Sequence, residues 1–181
     1  QADLHLPIHP GSDVVLALGM AAELERRGAH DLAFIADWVD GYDAYMTEAR
    51  KVTRDQVFAT CRLSPEQFDA FADLYCERKT IGVSVGNGIE RGASGGSGIR
   101  TAMALQALVG QHGRPGAGVF AKPGNSFPKT TARLQRPDLA PEGTRTINIV
   151  DVGPLLLDRS QATPIAAVMI YNHNPVATHP D

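Results

Sequence analysis

Three short stretches of this sequence combine residue types that bind ligands, and each stands at a turn. Gly86-Asn87-Gly88-Ile89-Glu90-Arg91-Gly92 follows a run rich in β-branched residues, Thr80 to Val85, and precedes a helical pattern. A glycine-rich turn in that position lets backbone N–H groups approach a phosphate, and the helix start behind it favours negative charge. Against the dinucleotide fingerprint, the third glycine is replaced by Arg91 and Gly92 comes one position late, so a generic turn explains the loop equally well. Arg91 offers a guanidinium fork to an anion, or a surface ion pair. In His9-Pro10-Gly11-Ser12-Asp13 the carboxylate of Asp13 can accept two N–H bonds of the kind a guanine edge presents, or simply cap a helix. In Asn172-His173-Asn174-Pro175 the amides can read a ligand's polar edge, or serve as ordinary turn chemistry.

No catalytic set accompanies these turns. His5 and His9 are four apart, but Pro7 lies between them and Pro10 follows, so they do not share a helix face as a zinc pair would. Neither a G-x-S-x-G elbow nor a G-x-x-x-x-G-K-[ST] loop occurs. Glu23, Glu25, Asp69 and Asp73 read as solvated helix faces. Cys61 and Cys76 match no zinc or iron–sulfur spacing and read as reduced, largely buried thiols, compatible with a reducing compartment.

The elements that must position the turns follow from caps and periodicity. Leu4 to Ile8 reads as the tail of a strand. Ser12 is the expected N-cap of a helix ending at Arg26-Arg27 with Gly28 behind it. Asp31 should cap a short helix through Trp38, interrupted at Gly41. Ser64-Pro65-Glu66-Gln67 starts another, with Phe68, Phe71, Ala72 and Tyr75 on one face. Thr80 to Val85 predicts a strand, about 97–109 a helix, and Thr163 to Tyr171 a second buried strand. Residues at about 116–145 read as a long Gly/Pro-rich loop. The expected class is α/β, with ligands at the C-terminal ends of the strands.

Bulk properties set the limits. The chain has 181 residues with a formal charge of −3, which gives no basic footprint for nucleic acid. No apolar run approaches the roughly 20 residues of a membrane-spanning helix. The first residues contain no signal peptide, and both ends read as cut.

Taken in order, 10–45, 80–120 and 166–181 resemble the molybdopterin oxidoreductases of the dimethyl sulfoxide reductase type, which include formate dehydrogenases and nitrate reductases. The matching features are Pro10-Gly11-Ser12-Asp13 with its helix, the Gly86-Asn87-Gly88 turn with its helix and later glycines, and the apolar run ending in Asn172-His173-Asn174-Pro175. The resemblance implies an internal piece of a larger enzyme carrying a bis-(molybdopterin guanine dinucleotide) cofactor with molybdenum or tungsten. On it, 1–79 is the C-terminal part of one α/β cofactor-binding lobe and 80–181 the start of the next. Gly11, Ser12 and Asp13 match the guanine-contacting turn. Gly86, Asn87, Gly88 and Arg91 match the loop near the pterin or its pyrophosphate, and Asn172 and Asn174 the strand-end turn contacting a dinucleotide. Lys122-Pro123-Gly124-Asn125-Ser126 departs from the family's G-Q-x-x stretch.

The metal ligand and any iron–sulfur cysteines lie outside the chain on this reading, so it contributes no catalytic or metal-ligating residue. The implied partners are the remainder of the parent enzyme and a small substrate such as formate or an oxyanion. The implied location is cytoplasmic, with the export route left open. The chain alone is expected to be inert. Two rivals stand beside this reading: a Rossmann-like NAD-dependent dehydrogenase lobe, and a non-catalytic interaction module on the same scaffold.

Overall fold

The computed structural model describes residues 2–77, 79–121, 128 and 130–178, which gather into two compact units, Gln1–Phe127 and Pro128–Asp181. The departure at 122–126 lies outside the described residues.

The first unit opens with five helices: α1 (Asp13–Arg26), α2 (Leu32–Trp38), α3 (Tyr42–Ala49), α4 (Arg54–Cys61) and α5 (Pro65–Glu77). Then come β1 (Gly82–Val85), α6 (Asn87–Glu90), α7 (Gly95–Leu108) and β2 (Gly118–Ala121). Helix α1 is the central pillar, packed by α3, α4, α5 and α7. Its Met20, Ala21 and Leu24 are fully buried and meet Met46, Val57 and Phe68. A Cβ at Gly19 would collide with Val57 Cγ2, so α1 and α4 approach closely because this helical position has no side chain.

Local signals place most of these helix ends. Asp31 accepts a hydrogen bond from Phe34 N at 3.0 Å and starts α2. Ser64 and Gln67 form the reciprocal cap that starts α5. Gly28 turns the chain after α1 at a φ of 68°, in the left-handed region glycine tolerates. Helices α3 and α4 were not foreseen, although Thr53 and Gln56 form a capping box at the start of α4.

β1 and β2 pair in parallel, Gly82 opposite Gly118 through Val85 opposite Ala121, with α6 and α7 as the crossover. Parallel neighbours require such a connection, so the fold is α/β. This corrects the expectation of a structureless loop over 116–145. Gly118–Ala121 is a strand, and the stretch also holds α8 (Thr131–Gln135) and a 3-10 turn, Pro137–Leu139. β2 draws its hydrogen bonds from a strand more than 30 residues away, which local periodicity does not register.

The second unit contains α8, 3-10 turns at Pro137–Leu139 and Ile149–Asp151, α9 (Val152–Leu157) and α10 (Pro175–Thr178). Thr163 to Tyr171 is not the buried strand predicted: it pairs with nothing among the described residues, and Met169 and Tyr171 are 91% and 88% exposed. β-branched composition favours a pleated surface, but a strand exists only where a ladder partner lies alongside. Leu4 to Ile8 likewise forms no ladder; Leu6 and Ile8 pack against the core from an irregular segment. No helix among the described residues is long and apolar enough to cross a membrane.

Candidate functional site

The turn before α1 is built by hydrogen bonds within it. Gly11 has a φ of 83°, Ser12 N donates to the His9 carbonyl at 3.1 Å, and Ser12 Oγ donates to the same carbonyl at 2.6 Å. Ser12 stands at the N-cap position, but its side chain makes no capping bond to α1. The turn is pinned to the end of α4: His9 N donates to the Cys61 carbonyl at 3.0 Å, and Cys61 Sγ lies 3.7 Å from the Ser12 carbonyl. Burial pushes the Cys61 thiol up, so it is a packing group rather than a nucleophile. Cys76 is exposed, unlike the buried thiol predicted. Asp13 is half-buried, with no hydrogen bond or ion pair among the described residues.

The glycine loop follows β1 directly. Gly86 is extended, and Asn87 to Glu90 coil into the single turn of α6, closed by Arg91 N donating to the Gly88 carbonyl at 3.2 Å. Gly86, Asn87, Gly88 and Arg91 are all exposed. Gly95 and Gly98, at the start of α7, are buried beneath this loop. A Cβ at Gly95 would stand 2.6 Å from the Ile89 carbonyl oxygen and 2.7 Å from that of Glu90. A Cβ at Gly98 would stand 2.9 Å from Ile89 Cδ1 and 3.6 Å from Asp13 Cβ. The first turn of α7 thus brings the Asp13 turn and the glycine loop side by side. A cleft of about 600 Å³ adjoins this corner; Asp13, Leu16, Ile89, Gly98, Ala102 and Leu105 are among its lining residues, whereas Gly86, Asn87, Gly88 and Arg91 are not.

The helix starts at this corner carry no side-chain caps. Helices α2, α4 and α5 receive side-chain caps from Asp31, Thr53 and Ser64. Helices α1, α6 and α7 receive none, nor does α3, which starts at Gly41. Uncapped first-turn N–H groups remain available to an acceptor from outside, and the helix dipole favours an anionic one.

The third turn belongs to the second unit. Asn172 adopts a φ of 51°, and Asn174 Oδ1 accepts from Ala177 N at 3.3 Å, the local turn bond of an asparagine ahead of a helix. The segment before it is irregular rather than a strand, so of the three turns only the glycine loop follows a strand.

The carboxylates read as solvated faces include one that is not. Glu23 is 3% exposed and accepts from Arg26 Nε at 2.9 Å and Arg27 Nε at 2.6 Å, with Arg54 3.1 Å away. Asp69 continues the network to Arg54 at 2.8 Å, and Asp73 pairs with Arg27. Burial alone would raise the Glu23 carboxyl, but hydrogen bonds from the three arginines more than reverse this and hold it at about 2. The Arg26/Arg27 spacing resembles surface pairing; only Arg54 and Asp69, from other helices, reveal the buried network. It ties α1, α4 and α5 together, and none of its residues lines the cleft. No group of three or more His, Cys, Asp or Glu among the described residues is placed to hold a metal. The acidic residue that a nicotinamide-binding lobe carries about 20 residues beyond its glycine loop would fall within α7 or the turn after it, rather than at the end of a strand.

No family model matches the chain. It is 32% identical to the probable oxidoreductase YoaE of Bacillus subtilis over 181 residues, 99% of this chain and 26% of that protein. It is also 32% identical to a nitrate reductase of Synechocystis, covering 68% of this chain and 17% of the enzyme. Formate dehydrogenase H of Escherichia coli is 26% identical over 65% of the chain and 16% of its own length. In fold, 64% of the chain matches 16% of acetylene hydratase from Pelobacter acetylenicus, with a TM-score of 0.60 and 21% identity. The chain therefore spans about a quarter or less of the relatives it matches. The relatives that this chain resembles in sequence are members of the molybdopterin oxidoreductase family, and the chain corresponds to a part of them.

Proposed function

We propose that the chain forms part of a molybdenum- or tungsten-dependent oxidoreductase and holds a guanine dinucleotide end of its pterin cofactor. The observation that carries this reading is the corner where Asp13, the glycine loop and the start of α7 meet, with uncapped helix starts beside a carboxylate that has no ion pair among the described residues. The two kinds of group suit different parts of one ligand. A carboxylate accepts from the paired N–H donors of a guanine edge, whereas backbone N–H groups of the glycine loop and of the uncapped first turn of α7 donate to phosphate or pterin oxygens. Gly95 and Gly98 keep the loop against α7, so the donors are held in place before the ligand arrives.

In this reading Gly11 and Ser12 shape the turn that presents Asp13, and Arg91 supplies charge at the open side of the loop. Within the second unit, Asn172 and Asn174 offer a contact to a dinucleotide, and the lobe boundary at 79/80 marks where the parent's second lobe begins. The bound group supplies two-electron redox chemistry at its metal. This chain's residues bind and orient the group, while the metal ligand, the small substrate (formate or an oxyanion) and the iron–sulfur clusters belong to the remainder of the parent.

Titration of the protein with GDP and with ADP tests the reading. GDP should bind, and Asp13→Asn should weaken it by about tenfold, the loss of one charge-assisted hydrogen-bonded pair. ADP binding as tightly as GDP, with no response to Asp13→Asn, would instead favour an adenine-dinucleotide lobe.

A further inference from the structure

His30 lies between α1 and α2, half-buried, with a different contact at each ring nitrogen. Nε2 is 3.1 Å from the Ala21 carbonyl of α1, and Nδ1 is 3.0 Å from the Tyr42 hydroxyl at the start of α3. The two rings meet edge to face with centroids 5.8 Å apart. The hydroxyl has a second neighbour, Glu25 Oε1 near the end of α1, at 3.5 Å. Glu25 in turn accepts from Arg50, from Nε at 2.9 Å and from Nη2 at 2.5 Å. None of these side chains lines the cleft beside Asp13, so the cluster stands apart from the cofactor reading.

Donor and acceptor counting fixes where the protons sit. A carbonyl only accepts, so Nε2 carries a proton whether the ring is neutral or charged. In the neutral ring Nδ1 is then an acceptor, and the Tyr42 hydroxyl is its donor. A hydroxyl has one proton and cannot serve Glu25 at the same time. The distances agree, 3.0 Å to the ring against 3.5 Å to the carboxylate. Taking up a proton from water turns Nδ1 into a donor. The hydroxyl then accepts from the ring, and its own hydrogen is free for Glu25.

The surrounding charges bear on when this happens. Burial is the largest influence and disfavours the charged ring; the Ala21 bond and Glu25 favour it, and Arg50 opposes it. Asp43 of α3 acts on Tyr42 and Arg50. Asp31, next in the chain, is engaged in capping α2 and in pairing with Arg114.

We propose that His30, Tyr42 and Glu25 form a proton-driven switch between the end of α1 and the start of α3. With His30 neutral, the hydroxyl donates to the ring. With His30 protonated, the ring donates to the hydroxyl and the hydroxyl donates to Glu25, so a continuous hydrogen-bonded chain runs from Ala21 to Arg50. Tyr42 is the positioning residue through which the ring senses the carboxylate.

Nitrogen NMR of the isotopically labelled protein tests this, with the His30 signals assigned by their loss in His30→Gln. Above its midpoint the wild-type ring should be in the Nε2–H form. Glu25→Gln should lower the midpoint, because the charged state loses the carboxylate at the end of the chain. In a Tyr42→Phe background the relay is cut, and Glu25→Gln should shift the midpoint by less than half as much. A neutral ring protonated at Nδ1 overturns the proposal, and this is read on the wild type alone, whatever the variants do. An equal shift by Glu25→Gln with and without the hydroxyl also overturns it, since Glu25 would then act through space only. So does the absence of a shift in both backgrounds.

Discussion

Replacing Glu23 by glutamine keeps the shape of the side chain and removes the charge on which three guanidinium groups converge. In the folded protein the carboxyl sits at about 2 rather than its ordinary 4.5. At about 1.4 kcal/mol per pH unit this difference corresponds to about 3 kcal/mol of folding free energy at neutral pH. The conversion is justified because Glu23 is almost fully buried. Part of the loss is recovered: Arg27 keeps Asp69 and Asp73, Arg54 keeps Asp69, and Arg26 is well exposed to water. A net destabilisation of about 2–3 kcal/mol is therefore expected, or about 5–10 °C in Tm for a chain of this size. Because the folded value is depressed, the contribution is complete above about pH 4.5 and is lost as pH falls toward 2. Urea unfolding followed by circular dichroism should show the wild-type advantage at pH 7 shrinking to less than half by about pH 3. A difference below about 0.5 kcal/mol at pH 7, the usual range for surface changes, would refute the reasoning. So would a difference independent of pH.

Gly95→Ala should push α6 off α7 through the Ile89 and Glu90 carbonyls, costing about 1–3 kcal/mol, whereas Gly96→Ala, with open space around it, should cost nothing comparable; thermal melts of the pair check this. Thr53→Ala removes the capping box of α4 and should cost about 1 kcal/mol in the same assay. His30, between the Tyr42 hydroxyl and the Ala21 carbonyl, is pushed below 6.5 by burial, so its NMR titration midpoint should fall below that value. Its lowered value means that protonation favours the unfolded chain, so it contributes stability above about pH 6.5 that is lost as pH falls through the folded value.

What the sequence disclosed and what it hid follow from the range of the interactions. Asp31 and the Ser64-Pro65-Gln67 start act within one turn of helix, and both were legible. Ser12 has the same chemistry, yet its hydroxyl turns back to His9, a choice made by the tight Gly11 turn and the anchorage to Cys61. β2 and the Glu23 network depend on partners from distant segments: β1 for the strand, Arg54 and Asp69 for the carboxylate. The opposite error, a strand at Thr163 to Tyr171, took composition for a ladder. Within the candidate site, residue types at the two turns were readable. Their adjacency was not, because it depends on Gly95 and Gly98 letting α7 carry the loop to Asp13.

The central claim is that this corner grips a guanylated pterin, and the most direct measurement is acid release of nucleotide from protein purified out of a host that makes the cofactor, quantified by mass spectrometry. The account predicts GMP in near-stoichiometric amount from the wild type and a large loss from Asp13→Asn at unchanged thermal stability. Absence of guanine nucleotide from the wild-type protein, or equal retention by the variant, would contradict it.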